Sequence, residues 1–250
     1  MQRYFVPSDN WTQDRVFVAG EDAKHISKVM RMKAGDVIIC CDNNDRSATC
    51  EIIDLNGDKV EACIVNEIET VSELPVHVTI AQGLPKADKL EYIIQKGTEL
   101  GASDFFPFSA DRSIVKWDEK KAVKKKERLE KIAKEAAEQS HRSRVPEVLD
   151  TGTFSDLLKM AESYKIKIAA YEEEAKLQET SRFASALSAL ENGDSILCVI
   201  GPEGGISEKE AKILAEHGFE LCGLGPRILR TETAPLYILS AISYHIELKG

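Results

Sequence analysis

Between residues 36 and 68 the chain alternates short apolar runs with polar breaks. Asp36–Asp42, Ala48–Leu55 and Val60–Ile68 are rich in Val, Ile and Cys and predict three strands. Asp42-Asn43-Asn44-Asp45 and Asn56-Gly57-Asp58 separate them. Asn and Gly accept positive φ, so the second cluster predicts a hairpin. Ahead of the strands, Ile26, Val29 and Met30 share one face of a helix predicted over Asp22–Met32. This first part of the chain therefore reads as a small β-barrel covered by one helix.

From Val76 the pattern changes. Val76–Ala81 predicts a fully buried strand, and Leu90, Ile93, Ile94, Gly97 and Leu100 fall at helical spacing over Ala87–Leu100, with Gly101 as its cap. Phe105–Phe108, Ile166–Tyr171, Ser195–Ile200 and Glu220–Leu224 predict further strands. Glu119–Gln139, Phe154–Ser163, Ala184–Leu190, Ser207–His217 and Ala234–Leu248 predict helices. Strands alternating with helices imply an α/β domain with a parallel sheet covered on both faces. The boundary falls near Val71–Pro75, giving domains 1–72 and 73–250.

Charge alters this picture locally. The net charge of -9 argues against bulk electrostatic coating of nucleic acid. Yet residues 112–146 carry twelve Lys or Arg against six acids, including Lys124, Lys125 and Arg142. Such a segment is either a solvated helix face or an RNA-facing surface. The opening MQRYFVPSDN has no apolar core of a signal peptide, and no run reaches the roughly 18–20 apolar residues of a membrane span, so a cytoplasmic protein is expected. The six cysteines form no C-x-x-C pair and the histidines no H-E-x-x-H, so no metal site is expected and the thiols read as buried and reduced.

Two stretches carry chemistry. The buried strand Ser195–Ile200 runs into Gly201-Pro202-Glu203-Gly204-Gly205-Ile206-Ser207, where glycines permit close backbone approach and Pro202 stiffens the turn. Ser207 and Glu210 have capping-box spacing, and the carboxyl end of such a strand is where open sheets bind ligands. The pattern is neither G-x-G-x-x-G nor a Walker loop, so neither a dinucleotide nor ATP is supported. The second stretch, Leu224-Gly225-Pro226-Arg227-Ile228-Leu229-Arg230-Thr231-Glu232-Thr233-Ala234-Pro235, also leaves a strand and enters a helix, with Thr231 or Thr233 as its cap.

Together these stretches closely resemble the signature pair of the SPOUT methyltransferases, and within them the RsmE-type family, which methylates N3 of a uridine in 16S ribosomal RNA. Arg3-Tyr4-Phe5 and His25-Ile26-Ser27-Lys28-Val29-Met30-Arg31-Met32-Lys33-Ala34-Gly35-Asp36 resemble its N-terminal PUA-like RNA-binding module. Met30 stands where Leu is usual. Lys96-Gly97-Thr98-Glu99-Leu100-Gly101 and Glu138-Gln139-Ser140-His141-Arg142 resemble its central segment. The resemblance spans nearly the whole chain. It implies a PUA-like β-barrel followed by an α/β domain with a deep trefoil knot, S-adenosyl-L-methionine as cofactor, and a homodimer acting on 16S rRNA within a small-subunit particle. The many apolar residues of the last helix fit an interface, and fit a buried core helix nearly as well.

For the cofactor the resemblance points to Ile200, Gly201, Pro202, Glu203, Gly204, Gly205, Leu224, Gly225, Ile228, Leu229, Arg230, Thr233 and Ala234. Arg230 is the candidate to hold a uracil anion or a phosphate, against a plain salt bridge to Glu232; Glu232 is a candidate general base or an orienting group for Arg230. Candidate RNA contacts are Arg3, His25, Arg31, Lys124, Lys125, Gln139, His141 and Arg142. Two other readings stand beside this one. They are methylation of a ribose 2′-hydroxyl, and a non-catalytic RNA-binding protein with a vestigial pocket.

Overall fold

The computed structural model describes residues 1–44, 46–69, 72–176 and 181–249, without the side chains of 175 and 176. Asp45 of the first turn cluster and Val71 of the expected boundary lie outside them. The chain forms two compact units, Met1–Glu73 with Ala137–Val145, and Leu74–Ala136 with Pro146–Gly250.

In the first unit, β1 (Arg3–Phe5), β2 (Arg15–Ala19), β3 (Val37–Cys41), β4 (Ser47–Asn56) and β5 (Lys59–Glu67) form one sheet in the order β1-β3-β4-β5-β2. The β4–β5 hairpin turns at Gly57 and Asp58, with Gly57 at φ +65 as the sequence requires. Alternation places Val16, Val18, Ile38, Cys40, Ala48, Cys50, Ile52, Val60 and Ala62 in one core. Helix α1 (Gly20–Lys24) covers that core with Ala23, and its continuation over His25–Val29, wound more loosely, adds Ile26. β1 and β2 are too short to stand out in the sequence; β1 is held by a parallel ladder to β3, with Arg3 opposite Ile39.

The second unit holds a parallel sheet of seven strands: β6 (His77–Gly83), β7 (Asp104–Ser109), β8 (Glu147–Val148), β9 (Gly152–Thr153), β10 (Ile166–Ala170), β11 (Ser195–Ile200) and β12 (Glu220–Cys222). The order is β12-β10-β11-β6-β7-β8, with β9 paired to β7, so β11 is inserted between two strands formed earlier in the chain. Around it lie α2 (Lys89–Glu99), α3 (Glu119–Gln139), α4 (Phe154–Ala161), α5 (Glu172–Lys176), α6 (Ser181–Ser188), α7 (Glu208–Glu216) and α8 (Ala234–Ser243).

Both faces of this sheet are buried, which is why its strands read as unbroken apolar runs. Ala81, Phe106, Ala169, Leu197 and Val199 pack with Leu157 of α4 and Leu214 of α7. On Phe105's face, a Cβ at Gly97 of α2 would meet Phe105 Cε1 at 2.7 Å, and Leu239 of α8 lies against the same glycine. Gly97 is therefore small so that α2 can approach the sheet. Each fully buried Ile, Leu or Phe contributes roughly 1.5–3 kcal/mol to holding these layers together. Among the described residues no helix is long and apolar enough to cross a membrane.

Candidate active site

Strands β12, β10 and β11 end side by side, and a cavity of ≈ 430 Å³ opens beyond their carboxyl ends. Ala170, Tyr171, Ile200 and Cys222 form its floor, and its walls are the loop after β11 and the loop between β12 and α8. Ligands of open parallel sheets bind at such ends, and the volume suits a small-molecule site.

The first loop is shaped by its own backbone. A Cβ at Gly201 would stand 2.5 Å from the carbonyl carbon of Gly205 and 2.6 Å from the nitrogen of Ile206. Gly201 is thus required by the turn itself, and not only by close approach of a ligand. Gly205 has φ +71 with open space around a built Cβ, so its requirement is conformational. Pro202 seats on Gly83, where a Cβ would meet Pro202 Cδ at 2.7 Å. The Ser207–Glu210 capping box forms as expected: Glu210 N–H donates to Ser207 Oγ (3.2 Å) and Ser207 N–H to Glu210 Oε2 (2.9 Å). Glu210 Oε1 also accepts from Asp111 N–H at 2.9 Å, which ties the start of α7 to the loop after β7.

The second loop is fastened to the first from inside. Thr231 Oγ1 donates to the Gly201 carbonyl at 2.7 Å. Buried Gln82, at the end of β6, donates through Nε2 to Thr231 Oγ1 (2.9 Å) and to the same carbonyl (3.2 Å). Thr231's hydroxyl is spent on this fastening. Thr233 does precede α8, with Pro235 in the first turn, but its side chain makes no capping bond.

Charge is distributed unevenly over this frame. Lys89 opens α2 and reaches both loops, with Nζ 3.0 Å from Glu203 Oε1 and 3.1 Å from Glu232 Oε2. Burial pushes both carboxyls up. For Glu203 the Lys86 N–H at 3.0 Å, its own N–H and Lys89 outweigh this; for Glu232 its own N–H and Lys89 do. Both groups are held below the usual carboxylate range, and hydrogen bonds to the two carboxylates hold Lys89 above its ordinary value. Arg230 stands apart. Its Nη1 is 4.0 Å from Glu232 Oε1, and its side chain, on the cavity wall, is 82% exposed. Arg112, also on the wall, donates from Nη1 to the Gly204 carbonyl at 2.8 Å. Burial and the neighbouring Glu208 carboxylate raise Tyr171 above its ordinary value.

Of the residues singled out in the sequence, Ile200, Gly201, Pro202, Glu203, Gly205, Leu224, Ile228, Leu229, Arg230 and Ala234 line the cavity. Gly204, Gly225, Glu232 and Thr233 are not on its surface. Lys89, Arg112, Tyr171, Glu172, Glu173 and Glu208 line it without having been singled out. The signal for Lys89 was the rule already applied to β11: it opens the helix that follows the carboxyl end of a buried parallel strand.

Two of the candidate RNA contacts are structural. Arg3 is buried, its Nη1 donating to Cys41 Sγ (3.2 Å) and the Arg142 carbonyl (2.9 Å). Arg142 is buried as well, its guanidinium forked on Glu73. Neither guanidinium is presented to a phosphate. Lys125 is half-buried and paired with Glu91 at 3.3 Å. Arg31, Lys124, Gln139 and His141 are exposed, and half-buried His25 shares a hydrogen bond with Tyr4 Oη at 3.1 Å.

Comparison with known proteins agrees with this geometry. Residues 72–243 match the family model described as an RNA methyltransferase domain, and residues 18–65 match an RNA methyltransferase PUA domain. The chain is 52% identical to ribosomal RNA small subunit methyltransferase E of Bacillus subtilis (strain 168), over 99% of this chain and 98% of that one. It is 30% identical to the protein of that name from Mycobacterium tuberculosis (strain CDC 1551 / Oshkosh), over 90% and 84% of the two chains. A crystal structure of ribosomal RNA small subunit methyltransferase E from Neisseria gonorrhoeae bound to S-adenosyl methionine matches at a TM-score of 0.85 and 30% identity, covering 97% of each chain. A Legionella pneumophila methyltransferase solved with the bound cofactor SAM matches at a TM-score of 0.84 and 27% identity, again covering 97% of each.

Proposed function

The chain belongs to the RNA methyltransferase family, and from that premise we propose that it methylates N3 of a uridine in 16S ribosomal RNA with S-adenosylmethionine as donor. The observation that carries the reading is an exposed guanidinium, Arg230, standing on the wall of the cavity while its neighbour Glu232 is committed to Lys89. The cavity fits the cofactor. Ile200, Leu224, Ile228 and Leu229 offer apolar walls for an adenine, and the ≈ 430 Å³ volume suits a ligand of that size. When bound, the cofactor supplies the methyl group.

The chain's own residues do the rest. Uracil N3 carries a proton at neutral pH, so the base must release it to solvent water before it can act as a nucleophile. Arg230 stabilises the resulting anion with a fixed, forked cation at the wall of the site. Glu232, held below the usual carboxylate range against the effect of burial by its own N–H, by Lys89 and by Arg230, is a weak base; it fastens the second loop through Lys89 and stands 4.0 Å from the Arg230 guanidinium. N3 lies on the pairing edge, so the target base enters unpaired or flipped out.

Residues 1–72 serve as the RNA-binding module and 73–250 as the methyl-transfer domain, with Arg31, His25, Lys124, Gln139 and His141 toward RNA. The same reading includes a homodimer, a cytoplasmic protein, a small-subunit particle as substrate, and a trefoil-knotted C-terminus. Insertion of β11 between β6 and β10, with the second loop fastened back onto Gly201, supports the knot. Mass spectrometry of 16S rRNA nucleosides from cells with and without the protein tests the proposal. N3-methyluridine should depend on the protein. Methyl on a ribose 2′-oxygen instead would move the acceptor, and an unchanged nucleoside profile would end the assignment.

A further inference from the structure

Beside the main cavity lies a smaller one of ≈ 250 Å³, lined by residues of the loop after β6, by α2 and α3, and by the segment before α3. It is below the usual range of cofactor and drug-sized sites but roomy enough for one planar base. One wall is Trp117, with Val115, Leu90 and Leu129 completing an apolar lining. At its rim stand Asp88, Lys121 and Ala87, the last held at φ +55, a strained conformation for a residue with a Cβ.

Its charges have separate duties. Glu91 is neutralised by Lys125 at 3.3 Å and Arg128 at 2.6 Å. Lys121 meets no carboxylate within 4.0 Å of its ammonium among the described residues, and Lys120 and Lys124 flank it. Asp88 lines the cavity and precedes α2 without capping it through its side chain, so its carboxylate is not spent on the helix. An aromatic wall, a free ammonium and one open acceptor match a stacked base, its phosphate and an exocyclic amine.

Two segments run directly from this cavity to the main one. Asp88 lines the small cavity and Lys89 the large; Val115 and Trp117 line the small and Arg112 the large. From this continuity we propose that the small cavity is a subsite for one RNA nucleotide flanking the methylated base. Its base stacks on Trp117, its phosphate meets Lys121, and Asp88 favours bases that carry an amino group over uracil. The inference rests on the RNA-methylation reading of the neighbouring cavity.

The test uses the full-length enzyme and short single-stranded oligoribonucleotides with a central uridine, flanked by cytidine or by abasic ribose. Binding of the cytidine-flanked RNA should quench tryptophan fluorescence in the unchanged protein, and abasic flanks should remove that quench and weaken binding. Trp117→Ala should raise KM for RNA about 5- to 150-fold, the worth of one base–aromatic stack, with the loss in KM rather than in kcat. Trp117→Phe should recover most of the affinity. Lys121→Gln, an exposed change that does not threaten folding, should reduce the salt slope of RNA binding by about 0.7, one phosphate contact. Equal quench and affinity with abasic flanks, or unaltered RNA affinity in folded Trp117→Ala and in Lys121→Gln, would overturn the subsite. Quench by the cytidine-flanked RNA, with no methyl transfer by the unchanged enzyme to small-subunit particles, would sink the methylation reading and leave the subsite standing. Methyl transfer without quench would do the reverse.

Discussion

Arg142 in the first unit and Arg230 in the second place the same guanidinium in opposite surroundings. Arg142 is 4% exposed and forks onto Glu73, whose Oε1 also accepts the N–H of Ser143 at 2.9 Å and of Arg144 at 3.2 Å. Burial pushes the Glu73 carboxyl up, but Arg142 and these amides prevail and hold it below its ordinary value. Arg230 is 82% exposed beside a cavity, at 4.0 Å from a Glu232 carboxylate that Lys89 engages more closely, at 3.1 Å. A cation whose hydrogen bonds are all spent inside the protein is a fastener. One that the fold leaves open next to a cavity is available to charge that arrives with a ligand.

The comparison breaks most severely at Glu73. Glu73→Gln removes the carboxylate charge onto which the buried Arg142 guanidinium and two backbone N–H groups converge, and stability should fall by about 3–5 kcal/mol in denaturant unfolding. The pH dependence follows from the depressed carboxyl. The pair stabilises the fold fully above the unfolded carboxyl value of about 4.3, and this contribution drains away as pH falls through the lower folded value. Acid unfolding of Glu73→Gln should therefore show a flatter limb below pH of about 4.

Arg230→Ala should do the opposite. Its melting temperature should stay put, while turnover at saturating cofactor falls about 10²–10³-fold, as when one charge-directed donor is removed from a catalytic site. Arg230→Lys should restore little, because an ammonium lacks the planar fork. A smaller effect is expected at Lys89→Met, which strands Glu203 and Glu232 beside each other's loops. For a partly exposed ion pair the loss is about 1 kcal/mol, read by calorimetry as roughly five-fold weaker cofactor binding. Smallest is Gly205→Ala: its Cβ meets nothing, so only the left-handed backbone resists, at a cost of about 1 kcal/mol in stability.

Much of the fold was legible because it is written locally. β11 at Ser195–Ile200 and α3 at Glu119–Gln139 lie where the apolar run and the charged helical periodicity put them. The capping box at Ser207 and Glu210 and the two glycine loops were likewise readable from adjacent residues. What escaped depends on pairing at a distance. β1 is three residues long and is made a strand by β3, more than thirty residues away. Residues 137–145 join the first unit, where Arg142 finds Glu73, 69 residues earlier, so the guanidinium of a motif that looked RNA-facing is turned inward while Gln139 and His141 stay exposed. Lys89 carried the local signal of opening the helix after a buried strand, but only the parallel order of β6, β7 and β11 brings it and Arg112 to the same cavity. Spacing could nominate Glu232 as a partner for Arg230, but only the fold could give that carboxylate to Lys89.

The claim that Arg230 is held open for developing negative charge is tested most directly by single-turnover methyl transfer at saturating cofactor, measured across pH for the unchanged enzyme and Arg230→Ala. If the guanidinium stabilises the deprotonated uracil, the Ala variant should be slow at neutral pH and should regain much of the difference as rising pH ionises the base without help. A near-normal single-turnover rate at neutral pH in Arg230→Ala, or an equal deficit at every pH, would contradict it.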